Sequence, residues 1–97
     1  MRALVLAEAE AELEEAALFL DSQRPGYGTR LLTAFQKARD FVLEHPLSGH
    51  PAELGTRSTP LANLRHDLVY VVRGDLLVVV AVAHYRRRPG YWSDRLG

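Results

Sequence analysis

The chain has 97 residues, enough for one hydrophobic core, and its shares of apolar (47%) and charged (25%) residues are ordinary for a globular domain. It contains no cysteine, which excludes disulfides, thiolate nucleophiles and cysteine-based zinc sites. The net charge is zero, but it is split along the chain. Residues 1–56 carry five basic groups against nine acids, a balance of −4, whereas residues 57–97 carry seven arginines against three aspartates, a balance of +4. Such a division points either to an anionic partner for the second half or to pairing between the halves within the fold.

In chain order, Leu4-Val5-Leu6 reads as a short first strand. The apolar run at the N-terminus stops at Glu8, too short for a signal-peptide core, and no later run is long enough to span a membrane. A cytoplasmic protein without membrane contact is expected. From Glu8 the pattern becomes helical. Ala9, Leu13, Ala16, Ala17 and Leu20 recur at helix spacing, with glutamates in the first turn and on the opposite face. The acidic run Glu8–Glu15 reads as a solvated helix face. Ser22-Gln23-Arg24-Pro25-Gly26 ends the helix, and Tyr27, Leu31, Ala34, Phe35, Ala38 and Val42 mark the apolar stripe of a second one. This second helix must stop before Pro46, and Pro46 to Pro51 reads as a loop.

The remainder is strand-like. Arg57 to Leu64 is a weak strand whose Pro60 suits an edge or a bulge, and Asp67 to Arg73 is rich in valine. Gly74-Asp75 is a turn, and Leu76 to Tyr85 is the strongest strand of the chain. Strict alternation places Leu77, Val79, Ala81 and Ala83 on one face and Leu76, Val78, Val80, Val82 and His84 on the other. With both faces apolar, this is a central strand covered on both sides, or one with a face kept for a partner. The fold class expected is α+β in the order β-α-α-β-β-β. Residues 1–97 would form a single domain, with a helical hairpin packed on one face of a small twisted antiparallel sheet and a basic tail.

The chemistry is concentrated in His84-Tyr85-Arg86-Arg87-Arg88-Pro89-Gly90-Tyr91-Trp92-Ser93-Asp94-Arg95. Guanidinium groups bind phosphates or carboxylates through paired hydrogen bonds, and aromatic rings stack on exposed bases. The competing structural reading is that Tyr91 and Trp92 plug the core while arginines reach helix carbonyls and first-helix glutamates. His45 and His50 flank a loop without a third ligand, Ser48 and Ser93 have no triad partners, and no glycine-rich phosphate loop is present. No metal and no cofactor is expected.

The stretch Gly74 to Trp92 resembles the C-terminal end of RelE/ParE superfamily toxins, in which a hydrophobic strand leads into a histidine, a basic cluster and a Pro-Gly-Tyr-Trp-like close. Glu12-Leu13-Glu14-Glu15-Ala16 resembles the family's first helix, Gly28 through Ala38 its second, and Pro46-Leu47-Ser48-Gly49 the following turn. Arg57 and Val69-Tyr70 also fall where the family has an arginine and a Val-Tyr or Ile-Tyr pair. Two features depart from the pattern. Leu64-Arg65-His66 stands where Phe-Pro-Tyr or Phe-Pro-Phe is usual, and the chain has one lysine where the ribosome-dependent RNA-cleaving branch has several.

The resemblance implies the toxin of a type II toxin–antitoxin module, of the plasmid-stabilisation kind, neutralised by a cognate antitoxin protein. On charge it leans toward the ParE-like branch, which acts on DNA gyrase. The alternatives are a ribosome-dependent mRNA endonuclease and an inactive binding module, so whether the chain is an enzyme stays open, as does a homodimer. For target binding the resemblance and the basic cluster select Arg57, Arg65, Arg86, Arg87, Arg88, Trp92 and Arg95. Were the chain a nuclease, catalysis would fall to His84, Arg86 and Tyr91. In that mapping Arg57 and Arg86 fall near the branch's phosphate-contacting arginines. Histidine is the natural acid–base group near neutral pH, whereas arginine can only stabilise charge.

Overall fold

The computed structural model describes residues 1–97 and runs β1 (Arg2–Val5), α1 (Ala7–Gln23), α2 (Tyr27–Glu44), β2 (His50–Pro51), β3 (Arg57–Pro60), β4 (His66–Arg73) and β5 (Leu76–His84). Single 3₁₀ turns occupy Glu53–Gly55 and Ser93–Leu96. The helices lie where their apolar stripes place them. Their tight junction is built by Asp21, whose Oδ1 accepts the backbone N–H groups of Gly26 and Gly28 at 3.1 and 2.8 Å, capping the start of α2. Gly26 takes φ +92°, and a Cβ at Gly28 would collide with the carbonyl of Ala17, so both glycines are required for the reversal.

The sheet has five strands in the order β1-β5-β4-β3-β2. The β3-β4-β5 meander is antiparallel as expected, but β1 lies parallel to β5, with Leu4 opposite Val78 and Val5 opposite Val79. The sheet is therefore mixed. β5 is buried along most of its length and needs a partner on each edge, and β1 returns to its free edge through the long crossover that parallel neighbours require. The expected loop after α2 also ends in a strand, since His50 and Pro51 pair with Ser58 and Arg57.

One side of the sheet packs on the helices through Leu13, Leu31, Phe35, Leu68, Tyr70 and Val79. The other side is covered by the C-terminal segment, with Trp92, only 4% exposed, lying against Val69, Val71, Val80 and Ala81. The central strand is thus covered on both faces. Its alternation is not strict, however. Val69 pairs with Ala81 and Tyr70 with Val79, so Val80 is an extra residue, a β-bulge. Leu77, Val79 and Val82 consequently face the helices, while Val80 and Ala81 both face Trp92. Beyond the bulge the two faces of the strand are exchanged relative to the sequence pattern. No helix is long and apolar enough to cross a membrane.

Candidate functional site

The tail that follows β5 is held by a glutamate of α1. Glu12 lies three residues after buried Ala9 and four before Ala16, on the margin of the packed stripe. Its Oε1 accepts Nη1 of Arg95 at 2.8 Å and the backbone N–H of Val82 at 3.1 Å. Its Oε2 accepts Nη2 of Arg95 at 3.0 Å and the hydroxyl of Tyr91 at 2.5 Å. Nη1 of Arg95 also donates to the carbonyl of Val80, the bulge residue, at 3.1 Å. β1 pairs no further along β5 than Val79, and the Glu12–Arg95 pair takes over the backbone groups of Val80 and Val82 beyond that point. Burial pushes the Glu12 carboxyl up, but the hydrogen bonds from Arg95, Tyr91 and Val82 outweigh it and hold the group below the usual carboxylate range. The Tyr91 phenol is driven far up by burial and by its bond to Glu12, so it stays protonated. The guanidinium of Arg87 stacks 3.8 Å above the Tyr91 ring.

On the tail side of the sheet this arrangement leaves a hollow of about 250 Å³, bounded by Ser58, Asp67, Tyr85, Arg87, Arg88 and Trp92. Burial raises the Asp67 carboxyl, opposed by the neighbouring Tyr85 hydroxyl. Burial and the Asp67 charge in turn raise Tyr85, a residue 57% exposed at the rim. The guanidinium groups of Arg87 and Arg88 and the phenol of Tyr85 suit this hollow to an anionic group with an adjoining planar ring.

His84 and His66 are paired across β5 and β4, their rings edge to face at 4.9 Å between centroids. Nδ1 of His66 lies 2.7 Å from the Leu64 carbonyl oxygen, which can only accept, so His66 carries a proton there. Nδ1 of His84 accepts the backbone N–H of Arg86 at 3.0 Å, leaving the neutral ring its proton on Nε2. Burial, then the charges of His66, Arg86 and Arg65, lower the His84 pKa, so the ring stays neutral at ordinary pH. Its free lone pair is already engaged, and it can take up a proton only by releasing Arg86.

The candidate residues divide into distinct places. Arg86, Arg87 and Arg88 are exposed and lie together after β5, but residues 85–87 form a turn closed by the Arg87 N–H to the His84 carbonyl at 3.0 Å. The even–odd facing expected of an extended chain does not apply there. Arg65 takes φ +62° just before β4, and its carbonyl accepts the N–H of Tyr85, which places it beside the histidine pair. Arg95 and Tyr91 are committed to Glu12, and Trp92 is in the core. Arg57 is not part of this cluster. It sits opposite Tyr70, and its Nη1 donates to the carbonyls of Leu47 and Gly49 at 3.2 and 2.9 Å, clasping the turn after α2. Asp67 and Ser58 escaped the sequence reading, and Glu12, expected on a solvated helix face, is instead buried against Arg95, as the competing structural reading had it for a first-helix glutamate. Only Glu12 had a usable signal, its spacing from Ala9 and Ala16.

No protein-family model matches the chain, and no curated protein matches it by sequence. Its structure is similar to that of a chain from the chromosomal ParDE toxin–antitoxin system of P. aeruginosa, with a TM-score of 0.76 over 87% of this chain and 95% of that one, at 15% sequence identity. A helical hairpin on one face of a five-stranded mixed sheet, closed on the other face by the tail, is the fold this protein shares with that chain of the ParDE system.

Proposed function

We propose that this chain is the toxin of a type II toxin–antitoxin pair, arresting bacterial growth until a cognate antitoxin binds it, and that its target is DNA gyrase. The observation that carries the reading is the likeness of the whole fold to a chain of the ParDE system, joined to an exposed arginine cluster presented by the tail. Three features favour gyrase over ribosome-bound mRNA. The Tyr91 hydroxyl donates to Glu12 and is held protonated, and the His84 lone pair is occupied by the Arg86 N–H. Strand cleavage through a 2′-hydroxyl needs a base, and neither group is free to be one. In addition, one lysine and zero net charge give little general attraction to a polyanion the size of a ribosome.

A second reading, a ribosome-dependent mRNA endonuclease, is favoured by one observation. Asp67, whose carboxyl is raised by burial, lines the same hollow as Arg87 and Arg88, an acid in company with two charge-stabilising groups. Induction of the chain alone, with DNA-damage signalling and mRNA integrity followed together, tests the reading. Damage signalling with intact mRNA is expected. Prompt codon-phased cuts without damage signalling would reverse the choice, and normal growth at high expression would leave an inactive binding module.

A further inference from the structure

The largest concavity of the molecule is not the hollow behind the tail. It lies on the helix side of the sheet, between α2 and the outer edge of β3, and encloses about 610 Å³. Ser58 and Thr59 illustrate the separation, since neighbours on a strand face opposite ways: Ser58 borders the tail hollow and Thr59 borders this groove. Ala34, Ala38, Phe41 and Pro60 give it an apolar lining, and Arg30 and Lys37 stand at its rim about two turns apart along α2.

Its charge is the informative feature. The first 56 residues hold nine acids, yet no carboxylate lines this groove. The four ion pairs of the protein involve neither Arg30 nor Lys37, the chain's one lysine. Arg30 is braced by the Tyr27 ring, 4.6 Å from its guanidinium carbon, which keeps it in place without neutralising it. Phe41, 55% exposed, adds a large ring to the lining. The edge of β3 is also open here. β2 pairs only with Arg57 and Ser58, so Thr59 and Pro60 have no strand outside them.

We infer that this groove docks an acidic, partly apolar peptide segment of a protein partner. The two unpaired cations provide attraction and register for carboxylates, and the apolar lining takes side chains between them. A nucleic acid is the weaker fit, because only two cations are present to follow a phosphate chain. The inference concerns the helix side of the sheet and does not rest on the toxin reading.

A random dodecapeptide library displayed on phage, selected on the immobilised full chain, tests it. Peptides rich in Asp and Glu, with interspersed apolar residues, should be enriched. Their affinity should fall about tenfold or more on the double variant R30E/K37E and also on F41A, a loss of roughly 1.4 kcal/mol or greater. Binding should weaken as salt is raised. Both variants alter exposed side chains, and their melting temperatures should match the parent; should R30E/K37E fail to fold, R30Q/K37Q removes the same charges. No enrichment of acidic peptides, or enriched peptides that bind the charge variant unchanged, would overturn the proposal. So would a single-stranded RNA oligomer that binds through Arg30 and Lys37 while the acidic peptides do not.

Discussion

Glu12 and Arg95 stand 83 positions apart, yet they form a two-pronged ion pair, at 2.8 and 3.0 Å, that closes the tail over the sheet. Both side chains are more than four-fifths buried, so removing one partner strands the other charge away from water. Glu12→Ala also leaves Tyr91 and the Val82 N–H without an acceptor. The expected loss is about 3 kcal/mol or more. For a domain of this size that is a fall in melting temperature of roughly 12–24 °C, measurable by circular dichroism. A loss within about 0.5 kcal/mol would show that the tail is held by Trp92 packing alone.

Acid stability should carry two signatures of the same sign, one from an acid and one from a base. The folded Glu12 carboxyl titrates below its ordinary value near 4.5, so its stabilisation is complete above that pH and is lost as pH falls through the lower folded value. His84 is also lowered, from 6.5, but as a base: the unfolded imidazole takes up its proton before the folded one does, so stability falls as pH drops below 6.5. Melting temperatures followed from neutral to acid pH should therefore decline in two stages. Glu12→Gln should flatten the lower stage and His84→Gln the upper one. An unchanged profile in either variant would refute the corresponding assignment.

Tyr70 is fully buried, and its hydroxyl donates to the Pro46 carbonyl at 2.8 Å and accepts the Gly49 N–H at 3.0 Å. Tyr70→Phe keeps the ring but leaves a buried N–H unpaired, which should cost about 1–3 kcal/mol. A Cβ at Gly49 would meet the same hydroxyl at 2.7 Å, so Gly49→Ala should destabilise as well. Because both changes disturb one contact, the double variant should lose less than the sum of the two. Full additivity in denaturant melts would show that the turn and the tyrosine are independent.

Arg86 and Arg88 are exposed and take part in no ion pair. Arg86→Ala and Arg88→Ala should each change stability by no more than about 0.5 kcal/mol. If the cluster contacts the target, growth arrest should weaken in each variant and disappear in the double one. Growth assays beside melting curves decide the matter: a folded double variant that arrests growth as well as the parent would remove these residues from the target surface.

Much of the fold was legible because it follows from periodicity. The apolar stripes of α1 and α2, the proline and glycine breaks, and the valine-rich β4 and β5 each express a local preference that tertiary packing reinforces. The division of charge between the halves was legible too, and part of it is spent internally on Glu12 and Arg95. The bulge at Val80 was hidden, since one extra residue in a run of valines leaves no trace in composition yet exchanges the two faces of the strand beyond it.

By itself, the sequence determined the helical hairpin, the order of the elements apart from the short His50–Pro51 strand, the central strand with two apolar faces and the basic aromatic segment where the candidate chemistry gathers. Only the tertiary structure decided which arginines are free. Arg57, Arg95 and Arg86 are chemically alike, but the first clasps a turn, the second neutralises a largely buried glutamate and the third faces solvent. The physical reason is that a guanidinium's role depends on the acceptors within about 3 Å of it, and those acceptors come from segments far apart in the chain. The parallel pairing of β1 with β5 is non-local in the same way: it depends on which edge of β5 remains open after the meander has formed.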